Sequence, residues 1–355
     1  MRIIVQKFGG APLGTQDGRD KAVEKVAAAK AEGLSPVVVV SPMGRRGDPY
    51  AEETLIGLVK NMGVEVPKHD AKMLIACGGI ISAIVMVQSL EAAGIAAVAM
   101  TEQPAGNGLE DSSVTTHRTE TTTDKIHRYL GDDKVVVVAG FSGNQPGEVL
   151  ISGEGDSDTA AALLGVLLEA ETVEFYTDAD GVMTGDPAIV PDATVLRKLS
   201  YQEVCELASQ GAGIVHPKAV EIAREKAIPV RVRNNFSKDE GTLIAEDIAS
   251  RVITGIAQQP GLAQVIIRAG QGEHLSPLDS VRVFKTLAGA GISVDMNSVA
   301  PDRITFVVRQ ELLTRTAELL GPFAYQLQTV GACAKVSVVG AGMQETLGIM
   351  ARVVE

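Results

Sequence analysis

Five glycine-bearing segments follow short apolar runs in this chain: Gly9-Gly10, Ser41-Pro42-Met43-Gly44, Gly140-Phe141-Ser142-Gly143, Gly153-Glu154-Gly155-Asp156-Ser157-Asp158 and Asp180-Gly181. In open α/β sheets, ligands bind beyond the carboxyl ends of the strands, where N–H groups of glycine loops and helix N-termini hold phosphate oxygens. A phosphate-bearing ligand is the natural candidate. Lys7, just before the first glycine pair, places an ammonium where it could neutralise charge on a transferring phosphoryl group. Each residue also has a plainer reading. A strand-edge lysine accounts for Lys7 from spacing alone. A helix cap accounts for any one of Ser157, Asp158 and Thr159, and Asp178 and Asp180 are turn formers before Gly181.

The elements that must position these residues alternate between β-branched runs and Ala/Leu/Lys/Glu-rich stretches of helical period, as in a mostly parallel sheet between two helical layers. Strands are expected at 3–8, 37–41, 95–100, 135–139, 172–176 and 229–232. Helices are expected at 18–32, at 71–93 with an interruption at Gly78-Gly79, and at 124–130, 159–170, 201–209 and 218–226; residues 234–242 form a last hairpin. Beyond about residue 250 the order becomes strand 253–267, helix 278–290, strands 292–299 and 304–308, helix 310–320 and strand 324–330, a ferredoxin-like βαββαβ unit. A strand at 335–339 and a helix at 345–354 then read as the start of a second, incomplete copy. The domain expectation is 1–245 and 250–355.

With 355 residues the chain is long enough for two cores, and with aromatics at 3% and no Trp those cores must be aliphatic. The formal charge of −12 argues against a nucleic-acid partner, since a polyphosphate strand needs a basic surface. Cys77, Cys205 and Cys333 are odd in number and sit in apolar stretches, which predicts reduced, buried thiols and a reducing, cytoplasmic compartment. The N-terminal apolar run is too short for a signal peptide, and no segment is expected to span a membrane. The five histidines show no metal-ligand spacing.

Three longer motifs occur in order: Lys7-Phe8-Gly9-Gly10; the run from Tyr176 through Asp186-Pro187; and Leu199-Ser200-Tyr201-Gln202-Glu203-Val204 followed by His216-Pro217-Lys218-Ala219. Together they resemble the aspartokinase family nearly end to end. Gly44-Arg45-Arg46-Gly47-Asp48-Pro49-Tyr50-Ala51 and 333–342 look most like the diaminopimelate-branch enzymes of Gram-positive bacteria. The resemblance implies a three-layer αβα amino-acid-kinase domain with a C-terminal ACT-type region. It also implies ATP with Mg2+ bound through its phosphates, and phosphoryl transfer to the side-chain carboxylate of L-aspartate. On matching positions, Lys7 would stabilise the transferring phosphoryl group and Asp158 would orient that lysine. Gly9, Gly10, Thr177, Asp178, Met183 and Asp186 would meet the nucleotide, and Ser41, Gly79, Glu154 and Ser157 would line the acceptor site. In the ACT region, Ser276, Leu278, Asp295 and Asn297 occupy the effector positions, with structural dimerisation as the plainer role.

Several positions depart from the family pattern. Ala11 stands in place of a hydroxyl residue, Glu52-Glu53 in place of Thr-Asp, and Gly79 in place of a glutamate. Glu154 and Asp156 replace an arginine and a glycine, Ala188 an arginine, and Gly213 a lysine. Reversing charge at the acceptor carboxylate turns attraction into repulsion. Three readings stay open: an aspartate kinase whose neighbouring residues make good the lost charges, a non-catalytic homologue partnering an active paralogous aspartokinase, and a kinase for another small acceptor. Partners implied are a nucleotide and an amino acid, with a homodimer formed through the ACT region.

Overall fold

The computed structural model describes residues 1–60, 62, 66–101, 122–140, 156–213, 215–246, 251–269, 275–323, 325–340, 342, 343, 346, 348, 349 and 351. These form two compact units. One comprises Met1–Ser209, Gly213–Gly255 and Val339–Glu355, and the other Gln210–Ala212 and Ile256–Val338.

The first unit is built on β1 (Ile3–Phe8), followed by α1 (Gly10–Leu13), α2 (Gln16–Ala31), β2 (Ser35–Val40), α3 (Glu52–Lys60), α4 (Lys68–Ala92) and β3 (Ala97–Met100). Then come α5 (Thr122–Gly131), β4 (Val135–Ala139), α6 (Asp156–Leu167), β5 (Thr172–Thr177), β6 (Lys198–Leu199), α7 (Tyr201–Ser209), α8 (Pro217–Glu225), β7 (Val230–Asn234) and β8 (Thr242–Ile244). The sheet order is β3-β4-β2-β1-β5-β7-β8-β6. Its pairings are parallel except for the antiparallel β7–β8 hairpin.

Five of the six residues of β2 and all five of β4 are buried, the near-continuous apolar run of a parallel strand covered on both faces. Because side chains alternate along a strand, Phe8 and Lys7 of β1 face opposite layers. Phe8 joins the core formed with Val23 and Val26 of α2 and Met86 and Leu90 of α4. It stacks on Tyr176 of β5, ring centroids 4.8 Å apart and planes 9° apart, a contact worth about 0.5–1.5 kcal/mol beyond its area. Lys7 faces the α6 layer.

The second unit contains β9 (Gly255–Arg268), α9 (Pro277–Gly289), β10 (Asp295–Ala300), β11 (Arg303–Arg309), α10 (Leu313–Leu320) and β12 (Gln326–Val339). Its sheet order is β10-β11-β9-β12, the ferredoxin-like arrangement anticipated from the βαββαβ pattern. Val265, Ile267, Val283, Leu287, Ile304 and Phe306 fill its core.

Four expectations are corrected. α4 runs unbroken through Gly78-Gly79, because Gly78 is used for close packing: a Cβ there would lie 2.8 Å from Leu55 Cδ1 and 3.0 Å from Pro42 Cβ. The same helix, over His69–Ala92, is long and apolar enough to cross a membrane, contrary to the expectation that no segment approached that length. It instead contributes Ala76, Ala83, Met86, Val87 and Leu90 to the core. Cys77 is exposed and Cys205 and Cys333 are half-buried, although all three are free; an apolar neighbourhood in sequence does not fix which way a helix or a strand turns one residue. Finally, 324–330 and 335–339 belong largely to one strand, β12, which carries on through Ala332 at φ 52°. The Ala332 N–H at this kink donates to Gln310 Oε1 at 2.8 Å. Most of the expected helix at 345–354 lies outside the described residues.

Candidate active site

β1 delivers Lys7 to the centre of the sheet, opposite Val39 of β2 and Phe175 of β5. Its ammonium meets Asp158 Oδ1 at 2.7 Å, with the two side chains only 12% and 14% exposed. Asp158 stands in the first turn of α6, and its second oxygen accepts the backbone N–H of His216 at 3.0 Å. His216 is itself the N-cap of α8, with Nδ1 accepting from the Lys218 N–H at 3.3 Å and Pro217 opening the helix. One carboxylate thus ties a strand and two helix starts together. Charge-assisted hydrogen bonds of this length are among the stronger polar contacts.

The glycines act mainly by bringing backbones close. A Cβ on Gly10 would lie 2.0 Å from the Pro42 carbonyl oxygen, and with no Cβ the Gly10 carbonyl accepts the Gly44 N–H at 2.8 Å. Gly9 donates its N–H to the Tyr176 carbonyl at 3.1 Å, so that donor is used in joining β1 to β5. At the end of β4, Gly140 allows the first turn of α6 to approach, since a Cβ there would lie 2.5 Å from Ser157 Cβ. Ser157 Oγ and Ser41 Oγ then meet at 2.9 Å. The structure therefore brings Lys7, Asp158, Gly9, Gly10, Ser41 and Ser157 to the carboxyl ends of β1 and β2.

Thr177 Oγ1 accepts the Ala179 N–H at 2.9 Å and closes the turn after β5. Asp178 is bridged by Arg45 Nη2 at 2.6 Å. Arg45 sits between Gly44 and Gly47, both at left-handed φ (108° and 103°), and its N–H donates to Asp48 Oδ2 at 2.7 Å. Sequence reasoning missed both Arg45 and the His216 backbone. The His216-Pro217 pair, a cap followed by an N1 proline, was a readable signal for the second; nothing in spacing tied Arg45 to Asp178.

The remaining sequence-derived residues are more dispersed. Met183 is half-buried and bridges Val195 in an antiparallel contact. Asp186 is exposed, and its Oδ1 accepts the Ala188 N–H at 2.9 Å. Gly79 is buried within α4. Glu154 lies outside the described residues. In the second unit, Ser276 is the N-cap of α9 and its N–H and Oγ both donate to Asp279 Oδ2, at 2.8 and 2.7 Å. Leu278 is 71% exposed, Asp295 pairs with Lys335 at 2.5 Å, and Asn297 is exposed on β10.

The described residues thus form an open, mostly parallel sheet with a lysine–aspartate pair at its strand ends. A family model described as "Amino acid kinase family" matches residues 2–234. The chain is 38% identical to Aspartokinase 1 of Bacillus subtilis (strain 168) over 363 residues, covering 100% of this chain and 89% of that protein. It belongs to the aspartokinase family. Among solved structures, aspartate kinase from Synechocystis is 27% identical at a TM-score of 0.58, covering 99% of this chain and 62% of that longer one. E. coli aspartokinase III in complex with aspartate and ADP has the same fold at a TM-score of 0.73 and 20% identity, with 99% of this chain and 90% of that one covered.

Proposed function

We propose that this chain binds ATP at the carboxyl ends of β1, β2 and β5 and transfers its γ-phosphoryl group to the side-chain carboxylate of L-aspartate. The observation that carries this reading is the Lys7–Asp158–His216 arrangement, which fixes an ammonium beside a glycine turn at the centre of the sheet. A carboxylate oxygen of the acceptor attacks the γ-phosphorus and the bond to the β,γ-bridging oxygen breaks, releasing ADP and the acyl phosphate without a covalent enzyme intermediate. Lys7 neutralises charge on the phosphoryl oxygens, Asp158 holds the ammonium in register, and the Ser41–Ser157 pair lines the approach.

Among the described residues no group of three or more His, Cys, Asp or Glu is placed to hold a metal. Both Asp158 oxygens are already engaged. Mg2+ would be carried on the nucleotide phosphates, where it would screen their charge.

The acceptor side is expected to work poorly, because Gly79 and Glu154 replace side chains that the resemblance assigns to holding aspartate. Turnover is expected to be several powers of ten below that of an intact relative, each lost charged contact being worth about 2–5 kcal/mol. The decisive experiment follows ADP release and hydroxamate formation from purified chain, MgATP and L-aspartate. Slow turnover abolished by Lys7→Met supports the reading. Clean, folded protein that binds ATP without turnover, and co-purifies with an active aspartokinase, would replace it with a non-catalytic partner. The diaminopimelate-branch assignment, the cytoplasmic location, dimerisation through the second unit and an effector at Ser276, Leu278, Asp295 and Asn297 are parts of the same proposal.

A further inference from the structure

The loop after β2 reaches across the end of β1 to the turn after β5, and it does so through one side chain. Arg45 Nη2 donates to Asp178 Oδ2 at 2.6 Å, 133 residues away in sequence. Both sides of this pair are tied to the glycine turn between them. The Gly44 N–H donates to the Gly10 carbonyl at 2.8 Å, and the Gly9 N–H donates to the Tyr176 carbonyl at 3.1 Å. Since β1 lies between β2 and β5 in the sheet, with neighbouring strands about 4.8 Å apart, the ion pair closes a ring of contacts at the turn that follows Lys7.

The pair is not needed to shape either segment. In the β2 loop, the Arg45 N–H donates to Asp48 Oδ2 at 2.7 Å, the Asp48 N–H to the Arg45 carbonyl at 2.8 Å and the Gly47 N–H to Thr54 Oγ1 at 3.0 Å. In the β5 turn, Thr177 Oγ1 accepts the Ala179 N–H, and Asn234 Nδ2 donates to the Asp178 carbonyl at 3.3 Å and to Asp180 Oδ1 at 2.8 Å. The Arg45 and Asp178 side chains are 69% and 50% exposed. An ion pair so open to water contributes little to folding while it holds a long side chain in one geometry. Arg45 is thus a guanidinium on a fixed backbone, reachable from solvent and held by a partner it can readily exchange.

Charge indicates the use. Asp178 and Asp180 make the β5 end acidic, and the Lys7 ammonium is already matched by Asp158. A nucleotide phosphate chain, net anionic even with Mg2+ bound, needs a further cation there. The guanidinium fork meets phosphate oxygens two at a time, and the chain offers more negative charge than the single carboxylate it would displace. We propose that Arg45 is a phosphate-binding residue of the active site, leaving Asp178 for the phosphate chain of the bound nucleotide while Gly10 and Asp48 keep its loop in place. Asp178 is then a placeholder that competes with the phosphate for the guanidinium. This role rests on the nucleotide site proposed for the ends of β1, β2 and β5.

Calorimetry on the full chain with Mg-tripolyphosphate tests the role without contacts to sugar or base, at about 0.15 M salt, where exposed charges more than about 8 Å away are screened. Arg45→Gln should weaken binding about 10- to 100-fold, the loss of charge-assisted hydrogen bonds, and Arg45→Lys should fall between it and the parent. Asp178→Asn should tighten binding about threefold because the competitor is gone, and that gain should vanish in the Arg45→Gln background. A bridge that only strapped the two segments together would instead be lost equally in both single variants. Arg2→Gln, which removes an exposed cation at the other end of β1, should leave the Kd within about twofold. Should Arg45→Gln fail to fold by circular dichroism, Arg45→Lys and Asp178→Asn decide by their opposite signs. Arg45→Gln binding within about twofold of the parent, or Asp178→Asn weakening binding as Arg45→Gln does, overturns the role and leaves the proposed reaction standing wherever MgATP and aspartate still turn over. A parent that does not bind Mg-tripolyphosphate at about 10 mM overturns it too, and if MgATP also fails to bind, the nucleotide site falls with it.

Discussion

The Lys7–Asp158 pair sets the strength of the candidate active site, and a double-mutant cycle measures it directly. At 2.7 Å the gross attraction is about 6 kcal/mol at an effective dielectric of ~20. Desolvation takes back most of that, and removing one partner of a buried pair typically costs about 3–5 kcal/mol because the other charge is left uncompensated. With side chains 12% and 14% exposed, some water reaches the pair, so the expected cost of Asp158→Asn is about 3 kcal/mol and of Lys7→Met about 2 kcal/mol. The double variant, with no buried charge remaining, should lose about 3 kcal/mol, giving a coupling of about 2 kcal/mol. Four of the five tyrosines, Tyr50, Tyr129, Tyr176 and Tyr201, lie in the first unit, and there is no Trp. Tyrosine emission during urea unfolding therefore reports chiefly on the unit that holds the pair. A coupling within about 0.5 kcal/mol of zero would mean that the two charges are solvated independently, and the positioning role given to Asp158 would fall with it.

Two further outcomes follow from the backbone and the connecting segment. Gly10→Ala should destabilise the first unit by at least about 3 kcal/mol, since its Cβ would fall 2.0 Å from the backbone carbonyl of Pro42; a thermal midpoint equal to the parent's would refute this. Glu203 is wholly buried. Desolvation would raise its pKa, but donors from Thr254, Ser200 and Arg251 outweigh it and hold the carboxyl below the usual glutamate range. A depressed folded-state pKa contributes stability that is present above the unfolded value and is lost as pH falls through the folded one. Parent stability should therefore drop below about pH 4.5 more steeply than that of Glu203→Gln, which at neutral pH should already be weaker by about 2 kcal/mol. Parallel pH–stability curves for the two proteins would show that Glu203 does not anchor residues 251–254 in the ionised form.

Periodicity made the sheet legible because parallel strands covered on both faces must be apolar throughout: β4 was located to the residue at Val135–Ala139 and β2 to within two residues. The two-residue β6 carries no such run, and its pairing with β8 is a tertiary fact. Glycine misled where one residue type serves two ends. In α4, Gly78 read as a break, yet it is the position at which Leu55 and Pro42 crowd the helix. At Gly331-Ala332 the reverse occurred: a local kink split one strand into two, and the Gln310 side chain that bridges it comes from 22 residues away.

The site shows the same division. Lys7 and Asp158 could be paired on paper only through resemblance, because the two lie in separate elements and a strand-edge lysine and a helix-cap aspartate explain them equally well one at a time. What bears on these readings is the second oxygen of Asp158. A residue that merely capped α6 would turn its carboxylate to the N–H groups of its own helix. Asp158 instead gives one oxygen to Lys7 and the other to the His216 N–H at the start of α8. The carboxylate is held from the side away from the ammonium, so Lys7 cannot shift toward a phosphate without either breaking the pair or pulling on α8. An ammonium anchored in this way suits a reaction in which charge grows on a fixed oxygen, since the partner's reorganisation has been completed before substrate arrives.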